Sequence, residues 1–217
     1  MRKLFKHEFV DPINLDTESI GGKRFYVLPT GEKLKSVTSV LGEKLDKTAL
    51  LEWKKRVGPE EAARVSAQAT RRGTSVHKIA ENYLLNKENY VGKEMPTNID
   101  TFNSLKPILD ANITSLLGVE LALYSKALKT AGRADIAAIY KGTPAILDVK
   151  TSLKPKKLEW IESYILQATV YAAMFSCMYK IHVPKTVIII AVDNDQPQVF
   201  ETNVSDHITK VIEIFTT

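Results

Sequence analysis

Apolar positions change their spacing several times along the chain, and each change predicts an element. Residues 134–140 (ADIAAIY) and 145–149 (AILDV) are apolar almost throughout, and Lys141-Gly142-Thr143-Pro144 between them is turn chemistry. Two such runs joined by a short turn predict an antiparallel hairpin, and folding it about Lys141 and Gly142 sets Asp135 opposite Asp148. Similar runs predict strands near 119–125, 133–140, 145–151, 185–192 and 197–202, and an early hairpin of 24–28 and 34–40 turned at Pro29-Thr30-Gly31. Spacing of three and four predicts helices over 48–57, 59–72 and 74–85, a helix over about 98–117 bent or broken near Pro107, a long one over 157–179 and a last one over 204–215. Residues 87–97 read as loop. The order α-β-β-β-α-β implies the α/β class, with helices on both faces of a small mixed central sheet.

The 217 residues contain no repeat, low-complexity stretch or Gly/Ser linker. One domain is the simplest organisation: an N-terminal extension with a hairpin (1–47), a helical region (48–117) and a core of sheet and helices (118–217).

Chemistry concentrates in the central hairpin. Asp148 and Lys150 stand two apart on one strand and project to the same side, with Val149 turned into the protein. Two neighbouring carboxylates repel, and a bound divalent cation removes that conflict. Oxygen ligands with room for water suit Mg²⁺ or Mn²⁺ better than Zn²⁺. The plain alternative is an internal ion pair or a solvated edge. Ile146, Leu147 and Val149 argue otherwise, because charges interrupting a strand covered on both faces call for a role.

Three further groups have a structural and a chemical reading. His77 lies in the helical pattern Val76, Ile79, Ala80, Tyr83, Leu84 and is either a hydrogen-bonded boundary residue or a ligand; Glu81 follows, but there is no second histidine in the HExxH arrangement. Gln167 and Tyr171, four apart, share one helical face, while Leu166, Val170, Met174 and Phe175 face the core. Glu120 begins an apolar run and either caps that strand or supplies an outer carboxylate.

Composition narrows the partners. Lys+Arg 30 against Asp+Glu 25 gives a net charge of +5, a modest bias towards polyanions. The clusters are Lys54-Lys55-Arg56, which reads as a solvated helix face, Arg71-Arg72, and Lys154 with Lys156-Lys157. Arg71 and Arg72 precede Gly73, where a helix start would offer N–H groups to phosphate. Thr151 and Ser152 follow Lys150 closely enough to touch the same phosphate, and Tyr124, Tyr164, Tyr171 and Trp160 are candidates to stack on bases. No run of about 18 apolar residues appears and no apolar segment marks residues 1–20, so no membrane span or signal peptide is expected and a cytoplasmic setting is. Cys177, the sole cysteine, is expected as a reduced, buried thiol.

Gly132-Arg133-Ala134-Asp135, then Asp148-Val149-Lys150-Thr151-Ser152, then Gln167-Ala168-Thr169-Val170-Tyr171, preceded by Gly73-Thr74-Ser75-Val76-His77, resemble the RecB-like branch of the PD-(D/E)XK nucleases. DVKTSLKPKK and QATVYAAMF are similar to the mitochondrial genome maintenance exonuclease family and its phage relatives. The resemblance spans about 25–175 and implies a restriction-endonuclease-like core. It implies a Mg²⁺- or Mn²⁺-dependent deoxyribonuclease, expected to be an exonuclease on single-stranded or frayed DNA in replication, recombination or repair, in a bacterium or phage-infected cell. A structure-specific endonuclease and an inactive DNA-binding accessory are the alternatives.

It further implies a metal site of Asp135, Asp148, His77, Glu120 and Val149, with Lys150 as the catalytic lysine and Gln167 and Tyr171 lining the site. Arg71, Arg72, Arg133, Thr151, Ser152 and Lys154 are the expected DNA contacts. Helices between 48 and 86 are candidates for an arch that threads single strands. Four-cysteine iron–sulfur clusters found in some relatives are not expected with one cysteine.

Overall fold

A mixed sheet organises the molecule, and its middle strand is the segment that carries Gly132 to Asp135. The computed structural model describes residues 2–216. In chain order the elements are β1 (Lys6–His7), β2 (Asp16–Ile20), β3 (Lys23–Val27), β4 (Lys33–Ser36), α1 (Val37–Lys44), α2 (Thr48–Val57), α3 (Pro59–Leu84), α4 (Pro96–Asn112), β5 (Ile113–Ser125), β6 (Thr130–Tyr140), β7 (Thr143–Ser152), α5 (Glu162–Tyr179), β8 (Lys185–Val192), β9 (Gln198–Asn203) and α6 (Ile208–Thr216). Short 3₁₀ turns occupy Leu158–Trp160 and Val204–Asp206. The mixed sheet flanked by helices is the architecture the hydropathy pattern implies.

Alternation along the strands builds a core on each face. On β7, Ile146 joins the apolar layer under α5, α1 and α6, whereas Leu147 and Val149 join the layer under α3 and α4. Residues 145–149 are all buried, so Ile146, Leu147 and Val149 each contribute roughly 1.5–3 kcal/mol. A third, smaller cluster (Leu15, Tyr26, Leu28, Leu34, Ala122, Ala131) welds the N-terminal strands onto β5 and β6.

Several boundaries differ from expectation, each for a local reason. The helical patterns before and after Gly73 form one helix, α3. An internal glycine costs only about 1 kcal/mol relative to alanine. Burial of Val76, Ile79, Ala80, Tyr83 and Leu84 against the sheet outweighs it. Strand β4 stops at Ser36, because its hydroxyl accepts the Ser39 N–H and caps α1; capping overrides the β-branched run that follows. Helix α4 keeps Pro107 inside it and ends at Asn112, and residues 113–117, read as helix, belong to β5, which pairs with β6. Helix α5 starts at Glu162 after its 3₁₀ turn, and α6 at Ile208 after the other. Strand β2 was not anticipated: all its residues are exposed, so it has no apolar face to betray it. Cys177 is exposed rather than buried, on the side of α5 away from Met174, Phe175 and Met178, which pack on the core.

The sheet also forks. β5 pairs with one edge of β6 from Thr130 to Tyr140. The other edge is shared: β4 runs parallel to it at Thr130 and Ala131, and β7 antiparallel from Ile136 to Tyr140. Gly132, Arg133, Ala134 and Asp135 lie between, where the two neighbours diverge. Thr130 fixes the fork by donating its hydroxyl to the Lys35 carbonyl at 2.8 Å.

Candidate metal centre

Asp135 stands at the mouth of this fork. Its Oδ2 accepts the Val149 N–H at 2.9 Å, and continuation of the Ile136–Leu147 register places it opposite Asp148, as the hairpin reading expects. On its other side the ladder runs Val119–Ile136 and Leu121–Ala134, so Glu120 is the residue beside Asp135. Glu120 has φ +49, a left-handed conformation that costs a non-glycine residue about 1–3 kcal/mol and takes it out of the ladder.

His77 reaches the same point from α3. Its Nε2–H donates to the Val149 carbonyl at 2.7 Å, which turns Nδ1 towards Asp135 Oδ2 at 3.5 Å and Glu120 Oε1 at 4.0 Å. One donor atom from each of His77, Glu120 and Asp135 lies within 4.8 Å of the others. A ring N–H fixed on a main-chain carbonyl is how metal-binding histidines are commonly oriented, with the second nitrogen left for the ion.

The electrostatics fit a divalent cation. Burial above all, together with the neighbouring Asp135 charge, raises the Glu120 carboxyl to about 7, and His77 and Arg133 only partly offset this. A positive ion would relieve both causes. The donor set combines two carboxylates, which suit hard ions such as Mg²⁺ and Mn²⁺, with one imidazole nitrogen, which suits transition metals.

Asp148 and Lys150 project from β7 to the α5 side. Asp148 is fully buried; Oδ1 accepts the Gln167 amide at 3.3 Å, and Oδ2 lies 2.5 Å from Lys150 Nζ without an aligned hydrogen bond. Burial raises the Asp148 carboxyl, against the pull of Lys150. Burial would depress the Lys150 ammonium, yet the charges of Asp148 and Asp135 outweigh it and hold it above its ordinary value. Lys150 is therefore a cation, and its Nζ lies 5.3 Å from the centroid of the Tyr164 ring.

The expected ligand set thus divides. His77, Glu120 and Asp135 come together; Asp148 is adjacent but engaged by Lys150 and Gln167. Val149 falls outside the cluster, since its side chain is in the core and its carbonyl is occupied by His77. Tyr171 is buried, and an added Cβ on Gly132 would lie 2.5 Å from its hydroxyl oxygen. That close approach explains the glycine before Arg133, a role not visible in the sequence.

The expected DNA contacts scatter. Arg71 is exposed in the middle of α3, so no helix start lies beside it, and the Arg72 guanidinium is paired with Asp193, one bond measuring 2.6 Å. Ser152 spends its hydroxyl on the Lys154 carbonyl at 2.7 Å, which closes the turn after β7. Thr151 is half-buried and Lys154 exposed. Arg133 does reach the site: it lines a cleft of about 450 Å³ together with His77, Glu120, Asp135, Gln167 and Tyr171. The opposite wall is made of Thr17, Arg24, Tyr26, Ser36 and Thr38, none of them an expected site residue, although Tyr26 and Ser36-Val37-Thr38 belong to the N-terminal segment FYVLPTGEKLKSVTSVL that also resembles the phage relatives.

No protein-family model matches the chain. Over 130 residues it is 32% identical to mitochondrial genome maintenance exonuclease 1 of Mus musculus, a match covering 57% of this chain and 38% of that protein. Among solved structures, an exonuclease candidate from Eubacterium rectale aligns with a TM-score of 0.41 and 12% identity over 67% of this chain and 68% of its own. The protein SSO0001 aligns with a TM-score of 0.33 and 16% identity over 65% and 70%. The chain spans about two-fifths of the length of its curated relative, and over that segment it is similar to a genome-maintenance exonuclease, in keeping with the order of its PD-(D/E)XK-like motifs.

Proposed function

We propose that this chain is a divalent-metal-dependent deoxyribonuclease that removes nucleotides from free ends of single-stranded or frayed DNA. The observation that carries the reading is the meeting of His77, Glu120 and Asp135 at the fork, beside the buried Asp148–Lys150 pair. His77 Nδ1 and the carboxylates of Glu120, Asp135 and Asp148 would hold Mg²⁺ or Mn²⁺. When bound, such an ion acidifies a coordinated water and neutralises charge on the phosphoryl group.

The chain's own groups do the rest. Lys150, held cationic by two carboxylates, supplies positive charge where the phosphorane charge builds, and Gln167 keeps Asp148 turned towards it. The Val149 main chain ties the two halves together, its N–H on Asp135 and its carbonyl on His77. Arg133 contributes phosphate affinity.

End-labelled linear and covalently closed DNA, single- and double-stranded, incubated with and without EDTA, tests the reading. Linear single strands should be degraded only with free metal, and closed circles should persist. Cleavage of circles would favour the structure-specific endonuclease instead.

A further inference from the structure

The two faces of the β2–β3–β4 sheet are charged differently. On one, every lysine has a carboxylate: Lys33 meets Glu18 at 2.6 Å, and Lys23 and Lys35 both meet Glu43, at 2.6 and 2.9 Å. The register puts Thr17 opposite Tyr26 and Ser19 opposite Arg24, so Thr17, Arg24 and Tyr26 share the other face, which is the one that lines the cleft. Arg24 is exposed there, and among the described residues its side chain has neither an ion-pair nor a hydrogen-bond partner. Arg133 faces it from β6, equally without a carboxylate at salt-bridge distance. Two guanidiniums, neither with a carboxylate at salt-bridge distance, therefore line one cleft with the His77, Glu120 and Asp135 cluster, and the Arg133 charge also bears on Glu120.

We infer that this cleft is a nucleotide subsite, in which Arg24 and Arg133 grip the backbone phosphate next to the one that is cut. A volume of about 450 Å³ falls within the range, roughly 300–1,000 Å³, of clefts that enclose small ligands. Guanidinium forks match phosphate oxygens in pairs, and the Thr17 and Thr38 hydroxyls add neutral donors. Pairing the lysines on the far face leaves the field of this sheet directed into the cleft. The N-terminal strands are accordingly a wall of the binding site. The inference rests on the nuclease reading for its substrate, but the binding it assigns does not require cleavage.

The phosphate could be internal or a terminal monoester, and the test separates them. Fluorescent oligothymidylate, with either a hydroxyl or a phosphate at its 5′ end, is titrated with wild type, Arg24→Ala and Arg24→Lys in EDTA over a range of salt. Arg24→Ala should weaken binding about tenfold and reduce the slope of log affinity against log salt by about 0.7, the loss of one single-strand phosphate contact. Arg24→Lys should restore most of the slope, which a purely structural defect would not allow. Equal losses for both oligonucleotides identify an internal phosphate, and a loss confined to the phosphorylated one identifies the terminal group. Wild-type affinity and slope in Arg24→Ala would overturn the subsite, even if Mn²⁺-dependent cleavage is observed. Arg24-dependent binding without cleavage by wild type would keep the subsite and end the nuclease reading.

Discussion

Single side chains at the fork make the sharpest predictions. Lys150→Ala should lower the cleavage rate about 100- to 1,000-fold while DNA binding persists, because it removes charge needed only as the phosphorane forms. A rate within a few fold of wild type would remove Lys150 from the chemistry. Gly132→Ala drives a methyl group into the Tyr171 ring, so it should cost about 1–3 kcal/mol in thermal denaturation and reduce activity with it. Titration gives a third prediction. Because the folded-state pKa of Glu120 is raised from 4.5 to about 7, its protonated form stabilises the metal-free fold below about pH 4.5, and that contribution is lost as pH rises through about 7. Metal binding needs the ionised form, so Mn²⁺ affinity should rise about 25-fold between about pH 5.5 and pH 7.5, and equal affinities would contradict this. Asp135, Asp148 and Lys150 were legible in the sequence because strand alternation fixes their sides. Arg24 was not, because no apolar period marks the exposed β2 that sets its register.

Among the elements, α3 links an outlying arm to the site. Helix α2 buries no residue, and the first part of α3 buries only Ala62 before the run that starts at Val76. By contrast α4, also within the helical region 48–117, docks Phe102, Leu105 and Leu109 into the core. We therefore propose that the arch implied by the resemblance is α2 with the first half of α3, the least buried part of that region. Arg72 pins its base to Asp193, whose N–H bonds the Ser152 carbonyl at the end of β7. Arg72→Ala should speed amide exchange in α3 before Val76 about fivefold, equivalent to roughly 1 kcal/mol for a partly exposed pair, and leave β5 and β6 unchanged. Unaltered exchange in α3 would show that the arm stands without this anchor. The helical period foretold α2 and both parts of α3, but Gly73 read as a break because propensity is local and the docking of Tyr83 and Leu84 is not.

At the scale of the whole molecule, the hydropathy pattern was enough for the class: runs alternating with helical periods yield a mixed sheet with helices on both faces. The fork was beyond it. The parallel contact of β4 with β6 joins residues 95 apart in the chain, and no local period encodes such a pairing. That contact turns the N-terminal extension from an appendage into half of a cleft whose other half carries the acidic cluster. The central claim is that His77, Glu120 and Asp135 with Asp148 form one site for a divalent ion. Calorimetric titration of Mn²⁺ into wild type and Asp135→Asn tests it most directly: saturable binding in wild type, weakened at least about tenfold in the variant, is the predicted result. Identical binding by the two proteins, or none by wild type at millimolar Mn²⁺, would contradict it.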